Sequence, residues 1–435
     1  MTSDIEKEGY SSATPPQKTS IENGTAPPID ESPSSDFHIG PPPDGGLGWV
    51  QVAVGHLALF NTFGWFNSYG IFQDYYTEEL KLPLSAISWT GSVQVFLLAS
   101  IGMFSGRAFD AGYFRSLIAI GSALQVIAIF TASVATEYWQ LFLAQGMCGG
   151  IGAGILYCPI IACTASYFSK KRALAIALVT SGGATGGLIF PVIAQQLPKH
   201  VGFPWTMRVM GFIVMFNAAM MLIFARTRLP PRPKGPIVEW AAFKELPYSF
   251  YTVGAFFLLW GVYLVYNYIN HYGRTVLGMD GGTALNTLFI ANAVGIPGRI
   301  IPALVSDAWF GPFKTLIPLN IGAGVLYLGW IGVRDPGSLY AFAVLSGMVN
   351  GGVQTIAMTG LPTLTSDLSK VGTRSGMIMT IGSVACLTGP PIAGALIDVA
   401  GGQYLYMQIW AALIMLFSAF FVAASWLARS RQNVS

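Results

Sequence analysis

The sequence predicts an all-α membrane protein of twelve transmembrane helices in two six-helix pseudo-repeats. Three observations predict it. Only 10% of the residues are charged and 53% are hydrophobic, whereas a soluble domain carries roughly a quarter charged residues. Twelve apolar stretches are each near the length of about 20 residues that a bilayer core demands of a helix. The first six stretches also find echoes in the last six.

The elements follow in chain order. Residues 1–40 are rich in Pro, Ser, Thr, Asp and Glu and lack the apolar surface to fold, so they are expected to form a disordered cytoplasmic tail. The first apolar stretch starts near residue 47, so a signal peptide is not expected. Spans are expected at roughly 48–72, 84–106, 115–134, 138–165, 172–196 and 205–225, which build an N-terminal half over 41–226. A polar central loop, "RTRLPPRPKGPIVEWAAFKELP", occupies 226–247 and ends that half. Six further spans at roughly 248–271, 283–306, 314–333, 338–362, 374–398 and 403–427 build a C-terminal half over 248–428. Residues 429–435 form a short cytoplasmic C-terminus.

Loop charge sets the orientation, because Lys and Arg accumulate on the cytoplasmic side. One side would hold Arg107, Arg115, Lys170, Lys171, Arg172, Arg226, Arg228, Arg232, Lys234, Lys244, Lys314, Lys370, Arg374, Arg429 and Arg431. The other would hold only Lys81, Lys199, Arg274 and Arg334. Both termini are therefore expected in the cytoplasm, and the sequons at Asn23 and Asn433 are expected to stay unglycosylated.

The two halves repeat each other in sequence. "GMCGGIGAG…SKKRALAIALVTSGGATGGLIFP" in spans four and five returns loosely as "GMVNGG…SKVGTRSGMIMTIGSVACLTGPP" in spans ten and eleven. Likewise "GMFSGRAFDAGYFR" after span two has a counterpart in "GRIIPALVSDAWFGPF" after span eight. Paired halves of this kind predict an alternating-access transporter fold, with the solute held between the halves near the midplane.

Gly106, Asp110, Gly112 and Arg115, matched by Asp307 and Gly311, resemble the loop signature of the major facilitator superfamily. The junction "PPPDGGLGWV" (41–50) and "YFSKKRALA" (167–175) are more similar to the monocarboxylate-porter branch, and most to its fungal members. The resemblance covers about residues 41–430. It implies a twelve-helix carrier for a small organic solute, with a possible co-transported proton. The chain departs from the branch at Leu47, where an aromatic residue is usual. In proton-lactate members a lysine in helix one and an aspartate in helix eight serve substrate and proton coupling, and Asn67 and Gly295 stand at those positions here.

The candidate substrate-binding residues start with Arg299. It lies eight residues from Asp307, about 12 Å into a core about 30 Å thick. It either snorkels or bonds carbonyls freed by Pro297 and Pro302, or it faces a cavity and clamps a carboxylate through its planar fork. In span seven, Trp260, Tyr263, Asn267 and Asn270 recur at helical spacing, as do Asn61, Trp65 and Ser68 in span one. With Asn67, Tyr157, Asn292, Asn350 and Gln354 they are expected to line a neutral, aromatic-walled cavity, unless each simply packs or bonds a neighbouring helix. Asp110 and Asp307, with Arg107 and Arg115, are expected to make gating contacts between helix ends, or else merely to mark topology. His56 is expected to be a packed polar residue and His271 an exposed helix end.

Other function classes lose ground. The net charge is +3 without a basic block, so nucleic acid is not expected as a partner. Cys148, Cys158, Cys163 and Cys386 lack metal-ligand spacing and read as apolar fillers. Gly146, Gly150 and Gly154 form a close-packing stripe, as do Gly182 with Gly186 and Gly183 with Gly187. "GGIGAG" lacks nucleotide-loop spacing, and no GxxxxGK[ST] occurs, so neither ATP nor any cofactor or metal is expected. No nucleophile–base pair or paired carboxylates suggest an enzyme. The expected function is secondary transport of a small organic solute, a monocarboxylate or a larger carboxylated metabolite, by uptake or export. A monomer in the plasma membrane is the expected form. A facilitator of a neutral solute, or a non-transporting sensor or scaffold of the same fold, remains the alternative.

Overall fold

A computed structural model describes residues 42–67, 72, 75–76, 81, 84–228, 230–231, 237–365 and 370–432. The tail 1–40, Ser68, Arg232, Lys234 and both sequons fall outside them. Among the described residues the secondary structure is helical throughout, with no strand. Ten helical segments among them are long and apolar enough to cross a membrane. The expected first span is described from Leu47 to Asn67, and the expected eighth and ninth spans lie in one apolar run, Gly281–Gly332.

The helices are α1 (Leu47–Leu59), α2 (Leu84–Ser100), α3 (Gly102–Asp110), α4 (Phe114–Ala132), α5 (Gly150–Tyr167), α6 (Arg172–Gln196) and α7 (Pro198–Phe224). They continue as α8 (Leu246–Val262), α9 (Leu264–Thr275), α10 (Gly281–Val305), α11 (Gly311–Gly329), α12 (Pro336–Gly360), α13 (Val371–Val399) and α14 (Leu405–Gln432). A π-helical stretch, Phe60–Gly64, carries α1 on to Trp65–Asn67, and a second, Phe142–Gly149, leads into α5.

Packing repeats along the chain. α1 lies on α6, and α8 lies correspondingly on α13. Between the two series, α6 packs on α10, while α2 and α3 pack on α13. These seams are glycine-lined: a Cβ on Gly106 would stand 2.1 Å from the Gly372 carbonyl oxygen, and one on Gly376 would stand 2.1 Å from that of Gly102. Only a residue without a side chain lets two backbones approach so closely. The repeated loop signature has a matching backbone cause. Gly112 (φ 90°) and Gly311 (φ 72°) both turn the chain in the left-handed region, where a Cβ is strained.

Local geometry corrects two expectations. A π-helical turn takes in an extra residue, so the residues after Phe60–Gly64 are rotated relative to a regular helix. Phe63 and Asn67 therefore line the cavity, while Asn61 and Trp65 face neighbouring helices. In the second repeat the helix breaks at Tyr263 (φ −88°, ψ −11°) between α8 and α9, which likewise divides the expected face of Trp260, Tyr263, Asn267 and Asn270.

Candidate functional site

Arg299 sits in the middle of α10, 5% exposed, at the edge of an internal cavity. Its Nη1 donates to the Gly295 carbonyl one turn earlier (2.9 Å), and its Nη2 donates to Gln354 Oε1 on α12 (3.3 Å). Its buried Nε has no protein acceptor. Both acceptors are uncharged. The ionisable groups that interact with it are the phenols of Tyr157, Tyr263 and Tyr266, which are neutral at pH 7. A guanidinium stays protonated even in such surroundings. A positive charge therefore stands at the cavity without a counter-charge among the described residues, and its planar fork retains donors for an anion.

The walls come from both repeats. Phe63 and Asn67 follow α1, Tyr157 comes from α5 and Thr180 from α6. Leu258, Leu259, Tyr263 and Tyr266 come from the α8–α9 break, Asn292 and Arg299 from α10, and Gln354 and Met358 from α12. No Asp, Glu or His is among them. The free volume is about 40 Å³, room for about three water molecules. The cavity is therefore nearly closed on itself in this state.

One end is closed by amides. Asn67 Nδ2 donates to the Gly183 carbonyl (3.3 Å) and reaches Asn292 Oδ1 at 3.5 Å. A Cβ on Gly187 would stand 2.8 Å from Asn67 Nδ2 and 3.2 Å from Asn292 Oδ1, so the glycine leaves room for the pair. Phe66 meets Tyr263 edge to face beside them. Toward the other end, Thr180 and Thr355 bond at 2.8 Å, and Tyr157 Oη donates to Met358 Sδ (3.2 Å).

Beyond that second end lie the two signature aspartates. Asp110 accepts from the backbone N–H groups of Gly372 (3.1 Å) and Thr373 (2.7 Å) and from the Thr373 hydroxyl (2.6 Å). Asp307 accepts from the N–H groups of Ala173 (2.9 Å) and Leu174 (2.8 Å). Each carboxylate thus caps the N-terminus of a helix in the other repeat, where orphan donors and the helix dipole favour an anion. The expected aspartate–arginine contacts take a different form. Arg107 lies close enough to Asp110 to attract it, whereas Arg115 is exposed and donates to the Leu222 carbonyl at the end of α7.

A second layer holds the same two helix starts, through Asp44 at one and through the central loop at the other. Asp44 Oδ1 accepts from the N–H groups of Ser169, Lys170 and Lys171 at 2.7–3.2 Å. Glu239 and Glu245 grip Arg374, at 3.1 and 2.7 Å, and Lys370 adds a bond of 3.1 Å to Glu239. Burial alone would raise the Glu239 carboxyl, but hydrogen bonds and charge from Arg374 and Lys370 outweigh it and hold the group below its ordinary value.

Several expected residues stand elsewhere. Trp65 is packed against Phe72 and Phe190. Asn61 bonds Asn217 (2.8 Å) and the Val214 carbonyl (3.3 Å) on α7. Asn350 accepts from the Tyr327 hydroxyl (2.9 Å) in the packing of α11 on α12. Asn267 is exposed. Phe63, Tyr266, Leu258, Leu259, Thr180 and Met358 were not singled out by the sequence. A spacing signal existed for Phe63, four residues before Asn67, and for Tyr266, three residues after Tyr263. His56 bridges the Leu178 carbonyl (2.8 Å) and the Thr185 hydroxyl (3.1 Å), and exposed His271, near the end of α9, bonds the Tyr404 hydroxyl.

An apolar helical bundle that encloses a largely apolar cavity around a buried arginine, with hydrogen bonds on either side of it, has the form of a solute carrier. The chain belongs to the Major Facilitator Superfamily, matching that family over residues 56–364. It is 42% identical to an MFS-type transporter of Gibberella zeae, over 91% of this chain and 89% of that one. It is 36% identical to the aspyridones efflux protein apdF of Emericella nidulans, over 87% and 77% of the two chains. Among solved structures, the fold is similar to FucP in its outward conformation, with a TM-score of 0.66, 15% identity and coverage of 86% and 98%. It is also similar to the human organic anion transporter MFSD10, with a TM-score of 0.65, 16% identity and the same coverage. The protein is thus a multi-pass membrane transporter of small solutes.

Proposed function

We propose that the protein is a secondary transporter of a small organic carboxylate, working by alternating access of two six-helix halves, 41–226 and 248–428, joined by the loop 227–247. The carrying observation is the buried Arg299 charge at the cavity, bonded only to the neutral Gly295 carbonyl and Gln354. A carboxylate is the ligand that both neutralises this charge and matches its fork. Tyr157, Tyr263, Phe63, Leu258 and Met358 would hold an apolar or aromatic body, with Asn67 and Asn292 at the far end. This favours a larger carboxylated metabolite over lactate, and the small free volume requires the halves to part before it enters. The name of the apdF relative, an efflux protein, supports export as the direction.

In this reading twelve helices span the plasma membrane in a fungal monocarboxylate-porter-like arrangement. Both termini and the aspartate-capped end face the cytoplasm. The Asp110 and Asp307 caps latch that end, and Arg107 assists Asp110.

The test is flux in proteoliposomes across a panel of carboxylates and their neutral amides, for wild type and Arg299→Gln. The reading expects wild type to move acids and not amides, and the variant to lose that preference while remaining folded. Equal handling of acids and amides by wild type sinks it.

A further inference from the structure

The charge inventory of the cavity goes further than the class of solute, although it rests on the carboxylate reading above. Among the described residues, the groups that line the cavity around Arg299 are uncharged at pH 7. α12 presents Gln354, α5 presents Tyr157, the α8–α9 break presents Tyr263 and Tyr266, and α6 presents Thr180. On α13 the nearby ionisable group is the Cys386 thiol, which interacts with Tyr157 and Tyr263. His56 is turned away, onto Leu178 and Thr185. Asp110 and Asp307 are engaged by backbone amides at one end of the bundle. Among the described residues, then, the cavity has a fixed cation and no side chain that would carry a proton beside it.

From this we infer that the protein is an electrogenic anion carrier, driven by membrane potential and not by a proton gradient. The loaded cavity is neutral, because the solute's carboxylate balances Arg299. The empty cavity carries +1. The membrane field falls across whichever side of the cavity is closed, so reorientation of the empty carrier moves that charge through the field. Reorientation of the loaded carrier moves none. Each complete cycle transfers one negative charge with the solute, and a potential negative inside a cell drives export. For a univalent anion, 100 mV sustains about a 50-fold gradient.

The experiment uses the full chain in proteoliposomes at about pH 8, where a carboxylate is ionised. The probe is radiolabelled phenylbutanoate with phenylbutanamide as its neutral control, and potassium with valinomycin sets the voltage. Net uptake should rise with a potential positive inside and approach 50-fold accumulation at 100 mV. With uptake by protein-free liposomes subtracted, since the protonated acid also crosses the bilayer unaided, an imposed pH gradient at zero voltage should produce no accumulation. Exchange with phenylbutanoate on both sides should ignore voltage, since the carrier then returns loaded. Accumulation driven by the pH gradient and indifferent to voltage overturns the inference while leaving the carboxylate reading standing. Equal uptake of acid and amide, or no saturable uptake of the acid, overturns both.

Discussion

Arg299 owes its chemistry to its neighbours, and Gln354 is the neighbour that can be changed with least disturbance. Gln354→Glu is nearly isosteric and would place a carboxylate about 3.3 Å from Nη2, giving the arginine the counter-charge it lacks. Carboxylate transport should fall at least tenfold, a loss of about 1.4 kcal/mol in binding, and the voltage-sensitive step should pass from the empty to the loaded carrier, so that exchange with the acid on both sides becomes voltage-sensitive. Unchanged kinetics would mean that the solute never meets Arg299. At this scale the sequence was legible wherever a residue is costly in its place. A charge within an apolar run announces itself, as Arg299 does, because burying it needs a reason. Leu258, Leu259 and Met358 make no such announcement, since an apolar residue in a membrane helix is the default. Asn350 and Asn61 misled for the converse reason. An amide is as useful in fastening two helices as in holding a solute, and both fasten helices here.

At the scale of the element, the capped helix starts are the latch proposed above. Removing a capping carboxylate costs about 1 kcal/mol, so Asp110→Ala and Asp307→Ala should each shift the closed–open equilibrium about fivefold toward opening at that end. Spin labels at exposed Tyr113 and Trp309 would report a longer distance population, and an unchanged distribution would deny the caps a latching role. Gly106→Ala should open the same seam sterically. Its Cβ would meet a carbonyl oxygen at 2.1 Å, and backbone cannot swing aside as a side chain can. The Glu239 clamp adds a pH dependence. Its carboxyl is held below the ordinary value of 4.5, so the folded state binds the proton less readily than the unfolded one. The contribution is complete above about pH 4.5 and is lost as pH falls through the lower folded value. A melting temperature that drops below about pH 4.5 in wild type, and less steeply in Glu239→Gln, is the expected record. Helix positions were legible because length and hydropathy decide them. The faces were not, since neither the π-helical turn at Phe60–Gly64 nor the break at Tyr263 has a signature in composition, and each resets the register on which face arguments depend.

For the whole molecule, the repeat seen in the sequence reappears as a repeat of contacts: α1 on α6 and α8 on α13, with the Asp110 and Asp307 caps crossing in opposite senses. On the transporter reading proposed above, the transport machinery lies within residues 41–435, so removal of residues 1–40 should leave flux within about twofold of wild type. Loss of flux with the protein still folded would instead point to a tail-dependent sensor. The π-helical turn also has a bearing on how such a carrier changes its preferences. Each residue of a regular helix advances the direction of the next by about 100°. Dropping a single residue between Phe60 and Gly64 would let that stretch relax to an ordinary helix, swinging Asn67 out of the cavity wall while Leu47–Leu59 kept its seat on α6. Lineages of this transporter thus have a route to new cargo that needs no exchange of side chains at all, only the deletion of one codon at a place the fold is already prepared to lose it.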